Sequence, residues 1–380
     1  MMLHVKSPSS SLSLSAHHSC LYPSVGSSAS SASSSAGASS TAMYFAGSQD
    51  LREASKPSAH FASADSAATL VCTSDSSRYT LLPGSSRIET ALSSIEFAID
   101  STTSQHVVLK RSLDDLASMD HELEMLRLIK DHGVPNVTTV IDTFVDGDSC
   151  SVVVFPKLKK LDCPSSVSLL LVRNVLKSLL QTLLALHALD VAHLDLCLAN
   201  VMQDPITNQP VLIDFGLSRR SSPTDPHPRG CGTPGYIAPE VQHGTSFGTE
   251  CDIFSLGVIF GQWLHVYLPR FPDSALRCLG SGLLFPGQIA SLVPVIQQYI
   301  RDERSHLDAI LISAAELLAL MLKEDPRDRI TASKCLSHLF LVASDRAFSE
   351  FSLAKAKTKA QNLFYYPPSP RRSEQVVYWR

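Results

Sequence analysis

The chain has 380 residues, 18% of them charged, with a net charge of −4 and a pI near 6.4. That length suits one large or two small domains with ample core, and the charge balance leaves no basic footprint for nucleic acid. The nine cysteines are scattered, with neither a C-x-x-C pair nor a zinc-ligand spacing, which reads as thiols kept reduced in cytoplasm or nucleus.

Residues 1–84 are dominated by Ser and Ala, as in Ser27-Ser28-Ala29-Ser30-Ser31. Such a stretch buries too little apolar surface to offset its ordering entropy, so a disordered tail is expected. An organelle transit peptide is disfavoured, because Lys6 is the only basic residue other than histidine before Asp50 and such peptides are Arg-rich. No N-terminal apolar core of a secretory signal is present. Ser7-Pro8 is a possible phosphosite by sequence alone.

From residue 85 the pattern changes. Short alternating runs over 95–99, 107–109 and 152–155 flank a helical segment over 114–130, where Leu123, Leu126 and Ile129 recur at helical spacing. Beyond Pro164 helical patterns prevail, over 167–189, 251–264, 314–322 and 331–341. The longest apolar run, 169–189, carries Arg173, Lys177 and His187, so it is expected to be an amphipathic core helix rather than a membrane span. The expectation is an α+β fold with two lobes: a small β-rich lobe with one key helix over 85–158 and a larger helical lobe over 159–345, followed by a tail over 346–380 that includes Tyr365-Tyr366-Pro367-Pro368.

The chemistry concentrates between His193 and Glu240. Asp195 and Asn200 stand five apart in His193-Leu194-Asp195-Leu196-Cys197-Leu198-Ala199-Asn200, and Asp214 follows 19 residues after Asp195 in Ile213-Asp214-Phe215-Gly216. This is the set phosphoryl transfer needs: one carboxylate to orient an attacking hydroxyl, and a carboxylate with an amide to hold Mg²⁺ against the ATP phosphates. A third motif, Gly232-Thr233-Pro234-Gly235-Tyr236-Ile237-Ala238-Pro239-Glu240, completes the series. In this order the three motifs resemble the eukaryotic-type protein kinase family, over about residues 87–342.

The resemblance implies a bilobal protein kinase fold and a role for each matching position. Asp195 corresponds to the catalytic base, and Asn200 and Asp214 to the Mg²⁺ ligands. Lys110, in Val107-Val108-Leu109-Lys110, corresponds to the phosphate-pairing lysine. Its partner is expected to be Glu122, with Glu124 as the rival, since residues two apart face different sides of a helix. Ile95 is the expected roof over adenine, Phe155 the gatekeeper, and Lys157 and Leu158 the segment that bonds the adenine edge. Thr233 resembles the threonine of Ser/Thr-class kinases that steadies the catalytic Asp. Glu240, Arg329 and Asp252 match scaffold positions of the family.

Three departures stand beside these matches. The phosphate-covering loop, Arg87-Ile88-Glu89-Thr90-Ala91-Leu92-Ser93-Ser94-Ile95-Glu96, contains no glycine, although glycine permits close backbone approach to phosphate, and Glu89 adds negative charge there. Leu194 occupies the place of the arginine that receives an activation-loop phosphate, so phosphorylation at Ser221, Ser222 or Thr224 is not expected to act through this contact. Cys197 replaces the lysine that steadies the γ-phosphate, a loss from the transition state on the order of a few kcal/mol.

Within the family, Leu92-Ser93-Ser94-Ile95, Glu122-Leu123-Glu124-Met125-Leu126, Phe155-Pro156-Lys157-Leu158 and Gly232-Thr233-Pro234-Gly235-Tyr236 are similar to the replication-origin-firing (DDK-type) kinases. That similarity implies an activating regulatory subunit. The expected function is transfer of the ATP γ-phosphate to a serine or threonine of a protein substrate, with ATP and Mg²⁺ and without a nucleic-acid or membrane partner. The alternatives are a pseudokinase scaffold and a small-molecule kinase, the latter disfavoured by the docking segment together with Asp252 and Arg329.

Overall fold

The computed structural model describes residues 76–84, 87–89, 93–112, 116–146, 150–161, 168–221, 230–244, 248–268, 271, 276, 279–282, 284 and 286–351. The Ser/Ala-rich stretch over 1–75, Ser7, residues 90–92, Ser222, Thr224 and the segment after 351 lie outside these residues.

Six strands form the small-lobe sheet. They are β1 (Tyr79–Leu81), β2 (Ile88–Glu89), β3 (Ser93–Asp100), β4 (His106–Ser112), β5 (Asp142–Asp146) and β6 (Cys150–Pro156), in the order β1-β3-β4-β6-β5 with β2 also on β3. Both β1 and β2 pair antiparallel with β3, at its two ends. Between them lies Pro83-Gly84: proline offers no N–H to a ladder, and Gly84 takes φ 75°, so the edge strand is interrupted there.

The sheet curls until its ends meet. Arg78 and Tyr79, before and on β1, both bond Asp142 on β5, at 3.2 and 2.7 Å. The Tyr79 and Phe144 rings stack at 5.5 Å. Arg78 also makes a two-pronged bond to Asp100, at 2.9 and 2.6 Å. The sheet thus reaches upstream of the expected start at 85, because β1 closes the curl over Ala98, Val107, Leu109, Val152 and Val154. Period-two alternation puts the other residues on the opposite face. There Ile95, Lys110 and Val153 form one cross-strand row, and Phe97, Val108 and Phe155 the next.

The key helix, α1 (Leu116–Asp131), packs Met119, Leu123, Leu126 and Ile129 into the larger core. After Lys157 and Leu158, the hinge between the sheet and the helical lobe, come β7 (Lys159–Lys160), α2 (Leu169–His187), β8 (Val191–Ala192), β9 (Val201–Gln203), β10 (Pro210–Leu212) and β11 (Arg219–Arg220). The helical lobe continues with α3 (Pro239–His243), α4 (Glu250–Leu264), α5 (Pro286–Ala290), α6 (Leu292–Glu303), α7 (Ala309–Met321), α8 (Ala332–Leu336) and α9 (Leu339–Val342).

Local chemistry sets the helix ends. Ser168 caps α2 by accepting from the Leu171 N–H, and Asp308 caps α7 through the Ile310 N–H. Pro239 opens α3, and Gly244, at φ 69°, closes it. The single helix expected over 331–341 is two, since His338 caps a second start at Leu339. Periodicity gave no sign of α6.

By length and composition α2 could cross a membrane, but most of it is buried within the lobe. Its buried Arg173 bonds the Ala343 carbonyl at 2.7 Å and lies 4.7 Å over the Phe348 ring. That anchor carries the packed unit past the expected end at 345, with Phe348 and Phe351 both buried.

Candidate active site

The loop over 193–200 is fixed from below by one buried carboxylate. Asp252, on α4, accepts the backbone N–H of His193 at 2.9 Å and of Leu194 at 3.1 Å, and the His187 Nε2–H at 3.1 Å. Burial alone would raise its pKa, but these bonds and the nearby imidazoles outweigh it and hold the carboxyl below its ordinary value. His187 was not anticipated from the sequence: it sits at the end of α2, and its partner is 65 residues away.

His193 Nε2 donates to the Ile213 carbonyl at 3.1 Å, and its ring meets Phe215 edge-on at 4.8 Å. The Ile213 N–H returns to the Asn200 carbonyl at 3.0 Å. The two motifs are thereby stitched into one platform. Leu194 and Asp214 both adopt left-handed backbone, at φ 66° and 65°, a conformation that side chains rarely tolerate unless surrounding contacts enforce it.

Asp195 is held on both carboxylate oxygens. Thr233 donates to its Oδ1 from the backbone N–H at 2.7 Å and from the hydroxyl at 2.6 Å. Asn200 Nδ2 donates to its Oδ2 at 3.0 Å and to its carbonyl at 2.8 Å. Gly232 makes the approach of Thr233 possible, since at φ +108° a Cβ there would lie 2.6 Å from the Leu194 carbonyl oxygen. Burial pushes the Asp195 carboxyl above the ordinary carboxylate range, a rise the Thr233 bonds oppose.

Above the platform, Lys110 Nζ lies 2.8 Å from both Glu122 Oε2 and Asp214 Oδ1. Burial by itself would lower the ammonium's pKa, but the two carboxylates reverse this and raise it, so Lys110 is charged. Glu124 is exposed and makes no such bond. Helix α1 is further tied to the Asp214 segment by His121, whose Nε2 donates to the Ser218 carbonyl at 2.7 Å, and by the Phe215 N–H, which donates to Glu122. His121 is a second residue that spacing did not single out.

The donor set suits a hard divalent cation. With the Asn200 amide N–H groups directed at Asp195, its Oδ1 is the atom left for a ligand. The Asp214 side chain keeps 42% of its surface exposed despite its bond to Lys110. Two oxygen donors are what Mg²⁺ needs when substrate phosphates and waters complete its shell. Among the described residues no cluster of three His, Cys, Asp or Glu offers a metal a site of its own.

Of the residues expected to bind ATP, Ile95, Lys110 and Phe155 line the same sheet face, with Lys157 exposed and Leu158 half-buried at the hinge. Lys157 Nζ sits 5.4 Å over the Phe97 ring. Glu89 is paired with Arg87 at 3.1 Å, so its charge is partly offset. Leu194 and Cys197 are both buried, and neither position supplies a cation. Burial and Asp195 hold the Cys197 thiol above its ordinary pKa, hence protonated and unreactive.

The protein kinase domain family matches residues 91–341. The chain is 32% identical to the serine/threonine-protein kinase PLK4 of Nematostella vectensis over 171 residues, which are 45% of this chain and 16% of that protein. It is 29% identical to the phosphorylase b kinase gamma catalytic chain, liver/testis isoform, of Rattus norvegicus over 231 residues, 58% of this chain and 53% of the relative. With the calcium/calmodulin-dependent protein kinase type 1B of Mus musculus it shares 28% over 181 residues, 47% and 48% of the two chains. The chain therefore spans about half or less of the length of these relatives. With its curled sheet, its helical lobe and a match that covers 91–341, the chain belongs to the protein kinase domain family.

Proposed function

We propose that this chain is a protein serine/threonine kinase that transfers the γ-phosphate of ATP to a hydroxyl of a protein substrate. The observation that carries the reading is the position of Lys110, 2.8 Å from Glu122 and 2.8 Å from Asp214, over an Asp195 fixed on both oxygens. Such an arrangement supports transfer because it is assembled before substrate arrives, and catalysis of this reaction is largely positioning and charge stabilisation.

Lys110 pairs the α- and β-phosphates and Glu122 keeps it aimed. Asn200 and Asp214 hold Mg²⁺, which when bound offsets phosphate charge. Asp195 orients the substrate hydroxyl and accepts its proton. Thr233, bonded to Asp195, supports the Ser/Thr assignment. Ile95, Val108 and Phe155 enclose the adenine, with Lys157 and Leu158 at its edge. Cytoplasm or nucleus is the proposed location.

A second reading, a nucleotide-binding scaffold with little turnover, is favoured by one observation: Cys197 is buried and protonated where a cation would meet the γ-phosphate. The deciding assay is transfer of radiolabelled γ-phosphate to casein and to the protein itself, with Asp214→Ala alongside. Label lost in Asp214→Ala is the expected result. No label from the wild type, with a thermal shift by Mg-ATP, selects the scaffold.

Proton uptake by Asp195 gives a further prediction. The base must be ionised, so activity falls as pH drops through its raised pKa, and the acid limb of kcat/KM lies above that of an ordinary carboxylate. Because the Thr233 hydroxyl bond lowers that pKa, Thr233→Val is expected to move the limb to still higher pH. A pH–rate profile with an unmoved or lowered limb would reject this coupling.

A further inference from the structure

The loop over 193–200 runs from the end of β8 to the start of β9. Each of these strands is paired by a short strand made of two cations. Arg219 and Arg220 of β11 face Ala192 and Val191 of β8, and Lys159 and Lys160 of β7 face Gln203 and Met202 of β9. All four cations are exposed. Among the described residues none of them forms an ion pair, and Lys159 bonds the Asn208 amide oxygen at 3.1 Å. The Cys231 thiol feels the charge of both Arg219 and Asp195, so the guanidinium lies within electrostatic range of the segment that carries Thr233.

Opposing charge is scarce on this face. Residues 196–199 are Leu, Cys, Leu and Ala, and residues 230–239 include no charged side chain. Glu240 is buried on Arg329, Asp195 is held by Thr233 and Asn200, and Asp214 is on Lys110. Nearby, half-buried Asp204 closes its own turn by accepting from the Ile206 and Thr207 N–H groups. Exposed Asp190, beside β8, offsets at most one cation of the four. The loop that carries Asp195 is therefore uncharged along its middle and positive on both flanks.

We propose that the protein selects acidic substrates: protein segments whose target serine or threonine has carboxylates on both sides, one side read by Arg219 and Arg220 and the other by Lys159 and Lys160. This names the substrate class of the kinase reading and rests on that reading. A basic segment would meet four like charges with Asp190 alone to answer them. A nucleic-acid strand would set a phosphate at every step, including against the carboxylates of Asp195 and Asp214. A protein segment instead places its charges on the flanks and a neutral hydroxyl between them, which is the pattern of the surface. Complementarity of this kind governs encounter and register more than the chemical step, so its effect belongs in KM rather than kcat.

The test uses the full chain, Mg-ATP and three peptides that share a central serine and carry glutamates, alanines or lysines on both sides of it. The kcat/KM for the glutamate peptide is expected to exceed that for the alanine peptide by about tenfold, the scale of several exposed ion pairs together, with the lysine peptide lowest. Lys159→Glu with Lys160→Glu, and Arg219→Glu with Arg220→Glu, should each cut that preference severalfold at unchanged fold by circular dichroism. Peptides with glutamates on one side only should each respond to one of the two pairs. Lys159→Arg with Lys160→Arg should keep the preference, which separates charge from packing. The same peptides, labelled with fluorescein, are also titrated against the wild type without nucleotide and read by anisotropy. Tighter binding of the acidic peptide without transfer to any peptide counts against the kinase reading alone. Four results overturn the proposal: no binding of the acidic peptide, no preference for it over the alanine peptide, a preference that survives both charge reversals, and tighter binding of a labelled single-stranded oligonucleotide. The last would assign the cations to nucleic acid.

Discussion

An Asp195→Asn variant is expected to lose phosphate transfer by about 10³-fold, within the 10²–10⁴ range typical of a general base, while it keeps Mg-ATP binding close to that of the wild type. The two halves of the prediction have separate structural grounds. Among the described residues, the Asp195 side chain receives bonds from Thr233 and Asn200 and makes none to Lys110. The amide substitution preserves shape and can still accept from Thr233, so the platform stays assembled. What disappears is the oxygen that would take the substrate proton. Lys110, Glu122 and Asp214 are untouched, and Asn200, the other proposed metal ligand, keeps its 2.8 Å bond to the residue-195 carbonyl while it loses the one to the side chain. Single-turnover label transfer beside a thermal shift with Mg-ATP separates the two. Undiminished transfer would remove the base assignment, and loss of nucleotide binding would mean that Asp195 holds the site together instead.

The second large effect concerns stability. Arg329→Met is expected to cost about 3–5 kcal/mol, as is typical when one partner of a buried pair is removed. At roughly 2–4 °C per kcal/mol for a unit of this size, the midpoint of thermal unfolding should drop by about 10 °C. Arg329 is fully buried and Glu240 nearly so, joined by parallel bonds of 2.6 and 2.9 Å. The remaining guanidinium donors are used on the carbonyls of Lys323, Glu250 and Glu324, at 3.0, 2.9 and 3.1 Å. The group also lies 5.1 Å over the Phe254 ring. The variant takes Arg329 away from the buried Glu240 carboxylate and removes its donors from three carbonyls. Arg329→Met combined with Glu240→Leu should recover part of the loss, because an apolar pair carries no desolvation penalty. A midpoint change of only a degree or two in the single variant would show that the pair is replaceable by water or by local rearrangement.

The anchor also matters for the site. Glu240 follows the Gly232–Pro239 segment that brings Thr233 to Asp195, and Arg329 bonds the first residue of α4, the helix that carries Asp252. Strain at Leu194 and Asp214 is sustained by this surrounding packing. Loosening the anchor is thus expected to disturb the catalytic loop before the lobe unfolds.

Asp195, Asn200 and Asp214 were legible in the amino-acid sequence because their relation is local: five residues of loop, then one short hairpin, β9–β10, return the chain to the same place. The capping of α2 and α7 and the break at Pro83-Gly84 were also written locally, in side chains that bond their own backbone or in a missing N–H. Burial on alternate strand positions likewise followed from period two. Other features depended on contacts between distant segments, which spacing does not encode. Glu122 was already the expected partner of Lys110; the packed helix supplies the 2.8 Å contact and leaves Glu124 exposed. Only packing brought His187 onto Asp252 across 65 residues and Arg78 onto Asp142 across 64, while the Thr233–Asp195 contact, across 38, had been implied by the family resemblance alone. Each of those bonds depends on how far a sheet curls or how closely a helix beds against a loop, which the sum of many apolar contacts sets and no single residue announces.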